Sequence, residues 1–202
     1  MNTPVFILAS ASPRRSELLR QFGYQFLVVP SAAEEIQSED LSAGEVAQLN
    51  AYRKARVISK KYPDAVTLGV DTVVALGQTI FGKPADLAEA EQMILALQGK
   101  THVVVTGVCL IHLRTHRQRM FCEQTDVTFR AVTPAQIRQY HTEVDPLDKA
   151  GAYGIQEKSV VLVESIDGSF SNVAGLPIEA LQDELADFGI YQPASQSREN
   201  AR

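Results

Sequence analysis

Apolar and polar positions recur along this chain with two different periods, and the changes of period mark out its elements. Val5 to Ala9 is a short unbroken apolar run that predicts a buried strand. Ser12 follows as an N-cap with Pro13 at the first helical position, and Leu18, Leu19 and Phe22 predict a helix closing at Gly23. Tyr24 to Val29 predicts a second strand. Ser42 and Glu45 have capping-box spacing and open a long helix to about Lys61. Ala65 to Leu76 predicts a strand with Val66, Leu68, Val70 and Val74 on its apolar face, and a turn then leads through Phe81-Gly82-Lys83-Pro84. Asp86 and Glu89 repeat the capping-box spacing before a helix carrying Ala90, Met93, Ile94 and Leu97, which stops at Gly99.

Two strands, His102 to Leu113 and Phe121 to Val132, flank the polar, basic tip Arg114 to Arg119 and predict a hairpin. Thr133, Pro134 and Gln136 open a short helix ending near Thr142. Asp145 to Gln156 mixes Gly, Asp and Lys without hydrophobic period and predicts an ordered loop. A strand from Val160 to Ile166, a turn at Asp167-Gly168 and a helix with Ile178, Leu181, Leu185 and Phe188 complete the pattern. Residues 1–190 therefore read as a single α/β domain built on one mixed sheet with flanking helices, and residues 191–202 predict a disordered tail.

Composition narrows the partners. Of 202 residues 45% are hydrophobic and 21% charged, ordinary proportions for a chain that buries a core without disulfides. Cys109 and Cys122 match no metal spacing and read as small hydrophobes in a reduced compartment, so a cytoplasmic protein is expected. No apolar run is long enough to span a bilayer. A net charge of −5 gives no support to nucleic-acid binding, and an anionic ligand would need a local cluster of cations.

Four places look chemical. Ser10, Ser12, Arg14 and Arg15 gather where a strand turns into a helix, whose free amides and positive dipole end suit a phosphate. The bland alternative is a capped helix with two solvated arginines. Lys54 falls within the small apolar stripe Ala47, Ala51, Ala55 and Ile58. A lysine on such a face usually snorkels outward at the helix edge; held inside, it would need a carboxylate or phosphate partner. Asp71 lies on the opposite face of its strand from Val70 and must meet a metal, a cation or water in a cleft, or else sit exposed at a strand end. Glu35 could join it as a second hard ligand for Mg²⁺ or Mn²⁺ if the fold brings the two together. The loop Asp145 to Gln156 suits a ligand-binding turn. His112 and His116 fall at a hairpin end and are not expected to hold a metal.

In this order, Ser10-Ala11-Ser12-Pro13-Arg14-Arg15, Glu34-Glu35, Lys54-Ala55, Gly69-Val70-Asp71-Thr72-Val73, Gly82-Lys83-Pro84, Asp148 to Gln156, and Asp167-Gly168 through Gly175-Leu176-Pro177 resemble the Maf family of nucleoside triphosphate pyrophosphatases. The resemblance implies an elongated, inosine-triphosphatase-like (Maf/Ham1) fold with a cleft between two lobes. It implies cleavage of a nucleoside triphosphate to monophosphate and pyrophosphate with a divalent cation. The uninterrupted Asp148 to Gln156 looks like the branch acting on dTTP and UTP. By position, Asp71 corresponds to the general base, shared with Glu35 at the metal. Arg14, Thr72 and Gln156 correspond to positions associated with base choice, and Ser10, Arg15, Lys54 and Lys83 to phosphate-binding positions. Gln156 departs from the pattern in being followed by Glu157-Lys158-Ser159 rather than a glycine-rich stretch. Two other readings stay open: the same chemistry on 7-methyl-GTP, and a nucleotide-binding regulator of cell division at the septum. Homodimerisation is also open. One geometric condition follows from strand alternation, which sends Asp71 and Thr72 to opposite faces. For both to meet one nucleotide, the strand must end or bulge there, or Thr72 must act through its backbone.

Overall fold

A computed structural model describes residues 4–38, 40–156 and 159–192. The expected tail falls almost wholly outside these residues, as do Glu157 and Lys158. Among the described residues seven strands form one mixed sheet: β1 (Phe6–Leu8), β2 (Leu27–Val28), β3 (Val66–Leu76), β4 (Thr79–Phe81), β5 (Thr101–His112), β6 (Arg117–Phe129) and β7 (Val163–Asp167), in the order β2-β1-β3-β5-β6-β7 with β4 beside β3. Among the same residues six α-helices flank it: α1 (Pro13–Gln21), α2 (Ala43–Lys61), α3 (Leu87–Leu97), α4 (Pro134–Glu143), α5 (Phe170–Val173) and α6 (Ile178–Asp187). The α/β architecture is the expected one. Among the described residues no helix is long and apolar enough to cross a membrane.

The long antiparallel β3-β5-β6 core pairs without a break, from Val66 opposite His112 to Ala75 opposite Val103. On the other edge of β3, parallel β1 pairs Val66 to Leu68 and β4 pairs Val74 to Leu76. Between them no strand among the described residues lies along the edge from Gly69 to Val73. That gap opens a cleft.

The faces of the sheet are covered unequally. Helix α2 packs alone on one face through Ala47, Ala51, Ala55 and Ile58. It lies almost on the backbone of β3 and β5: a Cβ on Gly69 would come within 2.7 Å of Ala55 N, and one on Gly107 within 2.5 Å of Gln48 N. The opposite face holds two apolar cores. One gathers α1 and α6 over Leu68, Val70 and Val108; the other gathers α3 and α4 over Val74, Val104 and Phe129. Thr72 and Thr106, directly opposite each other in the β3-β5 ladder, fall between the two.

Several boundaries differ from the sequence expectation for physical reasons. The strand expected over Tyr24–Val29 reduces to Leu27–Val28, because three-residue β1 offers β2 two register partners and Tyr24 turns into the core. The polar hairpin tip shrinks to one 3₁₀ turn, Leu113–Thr115, with His116 at φ 54, because Arg117 to Arg119 continue the ladder opposite Leu110 to His112. The turn after β3 forms strand β4 around Gly77, which supplies φ 60. Of the segment expected as strand over Val160–Ile166, Ser159–Val161 is a 3₁₀ turn. Helix α5, capped by Ser169, was not expected.

Candidate active site

The gap in the sheet resolves the geometric condition on Asp71 and Thr72. Strand β3 neither ends nor bulges at these residues, and they stay on opposite faces. With the edge from Gly69 to Val73 uncovered, both faces line one cavity of about 1150 Å³. The cavity also takes in the turn from Ser10 to Arg15, Glu35, Asn50 and Lys54 of α2, Lys83, the loop from Asp148 to Ile155, and Gly175. Ser10, Arg14, Arg15, Glu35, Lys54, Asp71, Thr72 and Lys83 all converge there. Gln156 does not: it is exposed and outside the lining, because Ile155 before it turns into the core.

Lys54 does not snorkel. Its side chain is 11% exposed, and Nζ lies 2.6 Å from Asp71 Oδ1 and 2.7 Å from Glu35 Oε1, with Val70 O at 3.4 Å. The cause is the small-residue contact of α2. With glycine on the sheet and alanine on the helix, the backbones approach until one helical turn delivers Asn50 and Lys54 to Asp71. Asn50 Nδ2 donates to Asp71 Oδ2 at 3.1 Å, while its Oδ1 accepts from Ile36 N at 2.7 Å, tying the Glu35 segment to α2. Lys83 Nζ stands 3.6 Å from Glu35 Oε1. Burial would raise the Glu35 pKa, but the charge and hydrogen bond of Lys54, then Lys83 and Arg15, hold it below its ordinary value.

Across the cavity Arg15 is fixed by three acceptors. Nε donates to Gly175 O at 2.8 Å, Nη1 to Ser10 Oγ at 3.0 Å and Nη2 to Thr72 Oγ1 at 3.0 Å. Its burial lowers the guanidinium pKa, an effect that Asp71 opposes; a group of this kind still remains a cation at neutral pH. Ser10 Oγ also accepts from Ser12 N at 3.2 Å. Both its lone pairs are then taken, so its proton is the part left for a ligand. Ser12 has N-cap backbone geometry but makes no side-chain capping bond, so the first amides of α1 are also left for an anion.

Arg14 Nη1 pairs with Asp148 Oδ2 at 2.9 Å, and buried Lys149 donates to Asp148 Oδ1 at 2.8 Å and to Asp145 O at 2.7 Å. Burial would raise the Asp148 pKa, but Lys149 and Arg14 take it below its usual range. The sequence placed Asp148 and Lys149 in a ligand-binding loop that carries the family resemblance; here they order that loop against α1.

The donor set suits a hard cation. Among the described residues no group of three or more His, Cys, Asp or Glu surrounds one point. Glu35 and Asp71 are held close through Lys54 and face open cavity, so water and phosphate oxygens could complete a shell. That is how Mg²⁺ is commonly bound.

Asn50, which bonds Asp71, escaped the sequence reading, and so did two residues deeper in the wall. Thr106 is wholly buried behind Thr72, and Asn172 on α5 is wholly buried behind Thr106. A trace of Thr106 is legible. On one face of each strand an apolar series breaks once, at Thr72 within Val70-Val74 and at Thr106 within Val104-Val108, and the two breaks pair.

Residues 5–188 match the family model described as Maf-like protein. A protein of Shouchella clausii named dTTP/UTP pyrophosphatase is 43% identical over 191 residues, covering 95% of this chain and 98% of that one. One of Gloeobacter violaceus with the same name is 47% identical over 182 residues, covering 90% and 95%. Among solved structures, a HAM1 protein from Coxiella burnetii aligns over 91% of this chain and 99% of that one, with a TM-score of 0.48 and 17% identity.

Proposed function

This chain belongs to the Maf-like protein family, and from that premise we propose that it hydrolyses dTTP and UTP to the nucleoside monophosphate and pyrophosphate. The observation that carries the reading is the buried Lys54, bonded to both Asp71 and Glu35 inside a cavity that also gathers Arg14, Arg15 and Lys83. A chain of net charge −5 concentrates cations where a polyphosphate of about four negative charges would need them.

The reaction asks the protein for positioning and charge more than covalent chemistry. Lys83 and Arg14 neutralise phosphate oxygens, exchanging their carboxylate partners for the ligand, while Lys54 stays paired with Asp71 and adds its charge to the cavity. Ser10 donates its remaining proton to a phosphate oxygen, and the open N-terminus of α1 adds its amides. Asp71 takes the proton of the attacking water on a carboxylate that Asn50 holds at Oδ2 and Lys54 at Oδ1. Glu35 and Asp71 would hold a divalent cation, which when bound supplies further neutralisation of the polyphosphate.

Pyrophosphate release from dTTP, UTP, CTP and 7-methyl-GTP, with Mg²⁺, Mn²⁺ or a chelator, tests this. Fastest release from dTTP and UTP, lost on chelation, is expected. A preference for 7-methyl-GTP, or orthophosphate as the product, would overturn the substrate or the bond assigned. Turnover undiminished by chelation would remove the metal.

A further inference from the structure

Thr72 and Thr106 face each other in the β3-β5 ladder with their hydroxyl oxygens 3.0 Å apart. The groups at the two ends fix how their protons run. Arg15 Nη2 donates to Thr72 Oγ1 at 3.0 Å and has no lone pair to accept. Thr106 Oγ1 donates to Asn172 O at 3.1 Å, which has no proton to give. With the Thr72 proton directed at Thr106, every link is made. In the reverse order Thr106 would spend its proton on Thr72, forfeit the bond to Asn172 and leave its own buried oxygen without a donor. The far end does not move to suit: Asn172 Nδ2 donates to Val104 O at 3.1 Å and Thr125 Oγ1 at 2.9 Å, and its carbonyl also accepts from Gly175 N at 2.9 Å. A cation at the head of such a chain reinforces its direction.

The Thr72 hydroxyl, half-buried in the cavity wall, therefore offers a ligand a lone pair and no proton. It cannot bond a phosphate oxygen, which is itself an acceptor. Within a nucleoside triphosphate, the groups able to donate to it are in the nucleoside half. A sugar hydroxyl can turn either a proton or a lone pair, so it is indifferent to this polarity. The ring N3–H of uracil or thymine is a fixed donor, whereas N3 of cytosine is a bare acceptor.

We propose that Thr106 is a positioning residue that holds the Thr72 hydroxyl as an acceptor and so selects a pyrimidine bearing N3–H over cytosine. This rests on the pyrophosphatase reading above. Thr106→Val keeps the side-chain shape and removes the acceptor for the Thr72 proton, which can then turn into the cavity.

The measurement is kcat/KM for UTP and for CTP in the wild-type enzyme, Thr106→Val and Thr106→Ser. Thr106→Val is expected to lower the UTP:CTP ratio roughly tenfold, with CTP turnover rising in absolute terms, and Thr106→Ser to restore the wild-type ratio. A merely structural role would lower both substrates together. An unchanged ratio in folded Thr106→Val, a ratio that falls through loss of UTP turnover alone, or a wild-type enzyme indifferent to the two bases overturns the proposal. Should the valine variant fail to fold, Thr106→Ala carries the same expectation. A wild-type enzyme that turns over no nucleoside triphosphate sinks the pyrophosphatase reading itself, an outcome distinct from all of these.

Discussion

Lys54 and Asp71, seventeen positions apart on a helix and a strand, meet at 2.6 Å with their side chains 11% and 7% exposed. A buried ion pair contributes little net stability, but removing one partner leaves a charge with nowhere to go. Lys54→Met strands Asp71 with Asn50 alone and should destabilise the protein by about 3–5 kcal/mol in urea unfolding. Asp71→Asn keeps the shape and leaves Lys54 its bond to Glu35, so the fold should hold while kcat falls by roughly 10² to 10⁴. Near-normal turnover in Asp71→Asn would remove it as the base.

Gly107 shows what this meeting depends on. Its Cβ would come within 2.5 Å of Gln48 N, against helix backbone that no rotamer change can relieve. Gly107→Ala should push α2 off the sheet, costing more than about 3 kcal/mol and carrying Lys54 away from Asp71. Gly44→Ala, whose Cβ would meet Cys122 Sγ at an ordinary 3.5 Å, serves as the control. Equal melting temperatures for the two variants would refute the close-packing account.

How much of this was legible beforehand follows the range of the physics. Capping boxes at Ser42 and Thr133 are local, and both form as the spacing predicts. The box expected at Asp86 forms by half: Asp86 accepts from Glu89 N, but Glu89 turns to Ala85 N. Stripe geometry put Lys54 on the packed side of its helix, but the usual habit of lysine favoured snorkelling outward, because the carboxylates that hold it come from other chain segments. The gap between β1 and β4 was invisible for the same reason, since β4 was read as a turn. Asp71 stood out because a carboxylate inside an apolar strand is costly wherever it lands. Thr106 did not, because a threonine in a strand is unremarkable until its partner is known.

The buried aromatic cluster of His102, Phe129 and Tyr153 gives the pH dependence of stability a definite sign. His102 Nε2 lies 2.8 Å from Tyr153 Oη, and the ring packs edge-on against Phe129. Burial lowers the His102 pKa from 6.5 to about 4. As the pH falls from 6.5 towards 4, the unfolded chain takes up a proton that the native state refuses. Stability present at neutral pH is therefore lost on acidification, by up to about 3 kcal/mol from this group. Melting curves at pH 7 and pH 5 should show a larger drop in the wild-type protein than in His102→Gln, which has no proton to gain. Parallel drops would show that His102 is not the titrating group.

Arg15 invites the substitution that best separates charge from shape. Its guanidinium reaches Gly175 O, Ser10 Oγ and Thr72 Oγ1 from three different nitrogens, a fork that an ammonium cannot copy. Arg15→Lys retains the cation, so any loss must come from the acceptors left behind. The Ser10 hydroxyl would regain a free lone pair, Thr72 would lose the donor that sets its polarity, and Gly175 O would lose its bond to the α1 side of the cavity. The expected result is a fall in kcat/KM for UTP of about 10² with a narrowed preference over CTP, while Lys83→Arg, on an exposed side chain paired loosely with Glu35, should change either quantity by less than about threefold. If Arg15→Lys were as active and as selective as the wild type, the cavity would need Arg15 for its charge alone.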